Sequence, residues 1–474
     1  MSAYSRRLRR IASILLLVGA WAVGPAAAQS TFGSLIGTVT DPSDAVVPGA
    51  TVTVTNARTQ TVRTAVTAAD GSFLVSNLDA GSYEVTVSLS GFADATREAT
   101  LLARQTVRVD AQLNLQGASE QVHVTAAQPV IETNSATINN SRSGDDISRL
   151  AMNFRATNST SPIVVATLAP GVQQDRGGAI SIAGNLPFMT SFSIDGIASH
   201  SSRSGGPARE MFPSVESIEE FRVSSANNNA EFMQVTDVTT TSKSGNNQFR
   251  GTGFYFLNDS KFSSVDRFAP KDAAGNAIKP KIQTKTYGLS GGGPIVKNNT
   301  FFYGTFEGVR RPDEATVSHI VPPTAFRSGD LSSLSTPIIN PFTGQAYANN
   351  QVPVNPASAK ILAAFYELPN QSTGAAINKP NFVENAPGNY NQDGFDIRAD
   401  QNLGARQKFF VRLTTKDQVK ESVGSNTKLG TFTESTEVRQ LAASHNLILS
   451  NSLLNEARAG FAYNLKSTDY PLST

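Results

Sequence analysis

The sequence predicts a mainly β protein in three unequal parts. These are an N-terminal β-sandwich, a small α+β unit, and an incomplete antiparallel sheet with the pattern of a transmembrane β-barrel. Three observations predict this. Residues 30–116 hold short strands of period two, separated by Gly, Pro and Asp-Gly turns. Residues 247–474 alternate long two-faced strands with loops of very unequal length. Between them, residues 182–256 read as a junction in which apolar positions are spaced by three and a Ser-Gly-Asn-Asn turn feeds an aromatic-rich strand.

Composition narrows the class. A chain of 474 residues has room for about two to four domains. The absence of cysteine excludes a disulfide framework, a thiolate metal site, a cysteine nucleophile and a lipidated cysteine anchor. The four histidines are scattered, with no metal-ligand spacing. Four arginines lie in the first ten residues and residues 1–28 carry no acid, so removing that segment takes the net charge from +2 to −2. Nothing in that balance makes a basic footprint for nucleic acid. The basic start, the apolar run 11–21 and Ala26-Ala27-Ala28 read as a signal peptide cut after Ala28. A helical anchor would need roughly 20 apolar residues. No later stretch reaches that length, so any membrane crossing must use strands.

In the first unit, LIGTVTD (35–41), ATVTVTN (50–56), GSFLVSNL (71–78), GSYEVTVSL (81–89) and QTVRVDAQL (105–113) are the clearest strands of an expected seven-stranded sandwich. Tyr83/Val85/Val87/Leu89 and Val107/Val109/Ala111/Leu113 each line one face. The run G-T-V-T-D, V-P-G-A-T-V-T-V, D-G-S-F and A-G-S-Y-E-V-T-V resembles the carboxypeptidase regulatory-like domain. That resemblance implies a carbohydrate-binding-like fold and no peptidase, since no His-x-x-Glu zinc pattern is present. A structural or docking role is favoured over sugar binding, because fold alone does not establish a ligand.

Residues 117–128 are a small, polar linker around one extended run: Val122, His123, Val124, Thr125 and Ala126. Its E-x-V-x-V-T-A pattern resembles the TonB box of TonB-dependent receptors, and such a segment can add to a partner's sheet edge.

Residues 129–246 follow. They are expected to hold a short helix over 147–154, a Pro-Gly turn at 170–171 and a strand pair, AISIAGN (179–185) with TSFSIDGI (190–197). A short helix over 214–220 is expected to place Val215, Ile218 and Phe221 on one face, followed by a strand at 221–224. Four features occur in order: a strand ending in Asp195-Gly196, an F-P-S-V-E-S-I-E-E-F run, N-N-N-A-E-F, and K-S-G-N-N. Together they resemble the plug domain of Oar-like TonB-dependent receptors. The resemblance implies that Asp195, Gly196, Pro213, Glu216, Ile218, Glu220, Phe221, Ser244 and Gly245 form the plug core and its junction with a barrel. One departure is MQVTDV (233–238), where a glycine-rich segment is usual.

Barrel strands are expected over 248–257, 282–292, 300–310, 393–403, 407–417, 436–449 and 453–464. In 407–417, Phe409/Val411/Leu413 oppose Phe410/Arg412/Thr414/Lys416. Short turns at 297–299, 404–406 and 450–452 alternate with long connections, including 311–392, which holds an expected helix at 356–368. GGGPIVKNNTFFYGTFEGVRR (291–311) and PTAFRSGDLS (323–332) extend the Oar-like resemblance. A plug of this size calls for a barrel of about 22 strands. Seven strands are about a third of that, so a truncated sequence is expected.

The tempting motifs have plainer readings. Gly288-Leu289-Ser290-Gly291-Gly292 spells a nucleophile elbow but lacks the following helix, so a barrel turn is expected. Asp195 reads as a solvated turn aspartate rather than half of an acid–base pair with Glu210, Glu219 or Glu220. No cofactor and no metal are expected.

The resemblance implies an outer-membrane receptor, not an enzyme. TonB with ExbB and ExbD and the outer-membrane lipid would be its partners, and a siderophore, glycan or peptide its external ligand. The alternative from a different class is a secreted or surface-attached carbohydrate-binding β protein. The expected division is a signal peptide (1–28), sandwich (30–116), linker with the TonB box (117–128), plug (129–246) and partial barrel (247–474).

Overall fold

Alternation of β-branched and polar residues builds the first unit. The computed structural model describes residues 31–470 except 116–123, 126–136, 150–161, 176–178, 202–205, 229–233, 273, 373–377, 405, 425–426 and 451–452. The expected leader, together with Val122, His123 and Ala126, lies outside the described residues. The strands are β1 (Gly33–Thr40), β2 (Thr51–Asn56), β3 (Val62–Val66), β4 (Ser72–Leu78), β5 (Gly81–Ser88), β6 (Ala95–Leu101), β7 (Thr106–Arg108) and β8 (Ala111–Gln112). One sheet runs β4-β1-β7 with β8 also on β1, and the other runs β3-β2-β5-β6. Leu35, Val39, Val52, Val54, Val85 and Leu113 fill the space between them. Eight strands replace the expected seven because the run 105–113 is interrupted: the Asp110 carboxylate accepts the Thr38 N–H at 2.8 Å. Beyond the sandwich, β9 (Val124–Thr125) pairs parallel with β6.

The plug contains β10 (Ile138–Ser143), a helix over Gly144–Arg149, and a 3-10 helix over Pro162–Leu168. Its other strands are β11 (Val172–Gln174), β12 (Ile180–Ile182), β13 (Thr190–Ile194), β14 (Ile197–Ala198), β15 (Ile218–Ala226) and β16 (Thr236–Ser242). Five of them form a mixed sheet, β10-β15-β16-β13-β14. The expected pairing of 179–185 with 190–197 is not found: β12 pairs with β11, and β13 with β14 and β16. The helix expected over 214–220 is one 3-10 turn, Val215–Ser217, that passes straight into β15. The reason is local. Ser214 caps the turn by accepting from the Glu216 N–H, and then apolar Ile218, Phe221 and Val223 alternate with polar residues between two partner strands. Spacing by three fits either a helix or a turn followed by a strand, so Val215, Ile218 and Phe221 still share one core with Phe192, Ile194 and Val238.

All seven long strands form, as β17 (Arg250–Asp259), β18 (Gln283–Val296), β19 (Thr300–His319), β20 (Phe382–Leu403), β21 (Gln407–Val423), β22 (Thr431–Ser450) and β23 (Leu453–Asp469). They run in sequence order as one antiparallel sheet with β17 and β23 at its edges. Most exceed the expected lengths, and the longest loop shortens to 320–381, with its helix over Pro356–Phe365. The Gly-Leu-Ser-Gly-Gly run lies within β18 rather than at a turn. Short hairpins fall at one end of the sheet and long loops at the other, and the sandwich sits at the short-hairpin end.

This sheet is inside out. Thr284, Glu307, Asp396, Arg398, Arg412, Thr414, Lys416, Gln440 and Ser444 are buried, whereas Leu289, Phe395, Ile397, Leu413, Leu441 and Phe461 are exposed. In β20 alone, Asp396 and Arg398 are 6% and 7% exposed while Phe395 and Ile397 are 49% and 54%. Water would penalise such a surface, but lipid outside and a polar plug inside satisfy both faces. Among the described residues no helix is long and apolar enough to cross a membrane, which says nothing about strands. We expect Leu413→Arg, on the outward face, to destabilise the protein by about 2–4 kcal/mol, measured by urea-dependent folding into lipid vesicles. An unchanged midpoint would contradict an outward lipid face.

Candidate functional site

The candidate site is the seam between plug and barrel, and a two-residue turn places its centre. Ile194 pairs with Ile197 in a hairpin whose loop is Asp195-Gly196. Both loop residues have positive φ, 50° and 77°, the geometry that favours Asp-Gly. The turn drives the Asp195 carboxylate into the barrel wall. There Arg412 Nε donates to Oδ2 at 2.6 Å and Arg398 Nη1 to Oδ1 at 3.3 Å. The Ser242 N–H and hydroxyl donate at 2.9 and 2.8 Å, and Arg458 Nη1 reaches the Asp195 carbonyl at 2.9 Å. Asp195 is therefore buried and doubly paired, not the solvated turn residue expected from its sequence. Glu210 and Glu219 are not its hydrogen-bonding partners.

The network continues along the wall. Arg398 binds Asp400 through two hydrogen bonds at 2.8 and 2.9 Å, and its guanidinium stacks 4.3 Å from the Phe410 ring centroid. This stacking explains why an aromatic residue interrupts the polar face of β21. Ser244 Oγ donates to Asp400 at 2.8 Å. Gly245 beside it passes so close to the wall that a Cβ would lie 2.3 Å from the Phe302 carbonyl oxygen. No side chain fits where the plug hands over to the first barrel strand.

A second patch receives the 3-10 turn. The Ser214 N–H donates to Asp396 at 3.0 Å and its hydroxyl to Glu307 at 2.9 Å, while Lys416 Nζ donates to the Phe212 carbonyl at 2.7 Å. The Tyr303 hydroxyl donates to the Glu216 carbonyl at 2.9 Å. Pro213 is buried just before the Ser214 cap of this turn, and Ile218 and Phe221 anchor it in the plug core. Glu220 is the exception among the expected core residues. It is buried, but on the opposite face of β15, where it accepts the Ala103 N–H of the sandwich. Val124 and Thr125 are placed on β6, far in sequence from the other expected site residues.

The arrangement suits reversible docking. Two carboxylates, Asp195 and Asp400, face Arg398, Arg412 and, 3.9 Å from Asp400, Lys408, so each charge of the seam meets an opposite one while assembled. Such pairs add little net stability over apolar packing, and each partner is soluble when they separate. Burial pushes the Asp195 carboxyl up, but Arg412, Arg398 and the Ser242 hydrogen bonds outweigh it and hold it below the usual carboxylate range. Sequence reasoning missed Arg398, Asp400 and Arg412. The available signal was alternate-position charge on an otherwise membrane-like strand.

A sheet with its apolar face outward and its polar face gripping a folded insert defines a plugged outer-membrane β-barrel. Comparison with known proteins agrees. Residues 241–474 match the outer membrane beta barrel domain family, and residues 34–114 match the carboxypeptidase regulatory-like domain family. The chain is 27% identical over 313 residues to the TonB-dependent transporter Oar of Myxococcus xanthus, covering 63% of this chain and 29% of that protein. Over that stretch it is similar to a TonB-dependent transporter, and it spans less than a third of that relative's length. Two similar solved structures are the outer membrane transporter YddB from Escherichia coli and the ferric enterobactin receptor of Pseudomonas aeruginosa in complex with enterobactin. The first has a TM-score of 0.44 at 14% identity, covering 70% of this chain and 39% of that one. The second has 0.39 at 13%, covering 71% and 42%.

Removing Arg412 takes the shorter of two ion pairs from a buried carboxylate, so Arg412→Ala should weaken plug docking by about 2–3 kcal/mol, read as a lower urea concentration for plug release. The depressed Asp195 carboxyl contributes stability above the ordinary carboxylate range that disappears as pH falls through its folded value, below about pH 4. Asp195→Asn should remove that acid-side loss. Plug release with an unchanged acid profile in the variant would contradict the assignment.

Proposed function

We propose that this chain is the receptor portion of an outer-membrane importer. The external loops and the plug surface beneath them bind an extracellular ligand, a siderophore, glycan or peptide. The plug is then displaced by the proton-motive force acting through TonB with ExbB and ExbD. The observation that carries this reading is the polar, charge-balanced seam, which holds the plug firmly yet leaves both sides soluble after separation. No bond is made or broken in such a cycle.

TonB would engage the segment around Val124–Thr125. Its support is the way that segment adds as a strand to the sheet edge at β6, the same main-chain chemistry a partner strand would offer. Export through the leader at residues 1–28 completes the proposal, with the sandwich on the periplasmic side and the long loops outside.

Two measurements test it. The protein should stay in the outer-membrane fraction through carbonate and urea washes, whereas release would favour a secreted binding protein. A peptide spanning 117–128 should bind the periplasmic domain of TonB. Val124→Pro should weaken it by about 1 kcal/mol for each main-chain hydrogen bond lost. Equal binding by both peptides would remove the strand-addition mode.

A further inference from the structure

The sandwich touches both the plug and the barrel rim, but the two contacts differ in kind. On the plug side, the turn between β6 and β7 presses onto the polar face of β15 and β16. The Ala103 N–H donates to Glu220 Oε2 at 2.6 Å, and the Ala103 carbonyl accepts from Arg222 Nη1 at 2.5 Å. Arg104 Nη1 donates to Asp237 Oδ2 at 2.8 Å and to Thr239 Oγ1 at 3.1 Å. Register puts Glu220, Arg222, Thr239 and Asp237 on one face of the plug sheet, opposite Phe221, Val223 and Val238. Arg104 holds φ at 62°, a left-handed conformation rare for arginine. Such backbone persists where surrounding contacts over-determine it.

On the barrel side the contacts hold fewer buried charges, and Asn247 adds two of them by donating its N–H and Nδ2 to the Arg58 and Thr59 carbonyls at 3.2 and 3.0 Å. Lys408 pairs with Asp79, Asn402 Nδ2 donates to Thr61 Oγ1 at 3.1 Å, and Arg458 Nη2 reaches Thr31 at 3.2 Å. The Asp79 side chain is 44% exposed, while that of Asp237 is fully buried. Water competes readily for an exposed pair. Breaking the plug-side clasp would instead strand several buried charges at once.

We infer that the sandwich is a rider on the plug, clasped to it through Ala103 and Arg104. When the plug is displaced, the rim contacts at Asp79–Lys408 and Thr61–Asn402 part, and sandwich and plug move as one body. This rests on plug displacement as the working motion. It gives the carboxypeptidase regulatory-like unit a mechanical role. Because β9 lies on β6, the strand that ends in the clasp, a pull on β9 also loads the plug through the sandwich.

The chain has no cysteine, so an introduced pair is unambiguous. Thr61→Cys with Asn402→Cys would bridge sandwich to barrel without touching the plug. Protease cleavage of the plug in the vesicle-inserted protein, under rising urea, reports plug release without any ligand. Oxidation should cut plug release by at least about tenfold, in line with what a disulfide contributes, and reductant should restore it. Adding Arg104→Ala and Glu220→Gln to the bridged protein should restore release while still oxidised, because the plug then leaves without its rider. Unchanged release in the oxidised bridge would overturn the inference, as would a block that survives the clasp substitutions. An unbridged protein whose plug is never released before the sheet unfolds would instead sink plug displacement itself, and this inference with it.

Discussion

The contact between Asp195 and the two wall arginines is the constraint around which the plug and barrel are arranged. A carboxylate cannot sit unpaired in a dry seam, so Arg398 and Arg412 must reach it from adjacent strands. That requirement fixes the depth of the Asp195-Gly196 turn, and through Ser242 it fixes the end of the plug sheet. Asp400 then holds Arg398 in place and receives Ser244, which sets where the plug chain joins the barrel.

The barrel's own chemistry makes this possible. Strands with lipid on one side must keep polar groups on the other, and an empty lumen would hydrate them. Here the plug supplies hydrogen-bond partners instead: backbone groups at Phe212 and Ser214, and side chains at Ser214, Ser242 and Ser244. The seam is thus specific in position without being apolar. The sandwich extends the same logic outward, with a buried clasp toward the plug and an exposed margin toward the rim.

Much of the fold was legible in the sequence. Period-two alternation located all seven barrel strands, because each strand separates two solvents. In the sandwich it located five runs, but not β3 or β6, and it missed the break at Asp110. The plug was harder. Apolar spacing by three at Val215, Ile218 and Phe221 fits both a helix and a turn entering a strand, and pairing with β10 and β16 decided for the strand. Asp195 looked like an ordinary turn aspartate, since its partners Arg398 and Arg412 lie some 200 residues away and no local signal links them. Glu220 belongs to the other face of β15 from Phe221, and a sequence does not reveal what covers each face of a doubly covered strand. Asp237 lies in the segment 233–238 that departs from the plug resemblance, and there it meets Arg104.

The central claim is that Asp195 and Arg412 act as a pair holding the plug in place. A double-mutant cycle on plug release, using Asp195→Asn, Arg412→Ala and both together, measures that coupling directly. The structure predicts a coupling of about 1–3 kcal/mol, with the double variant less damaged than the single effects sum to. Additive effects, with no coupling, would contradict the account.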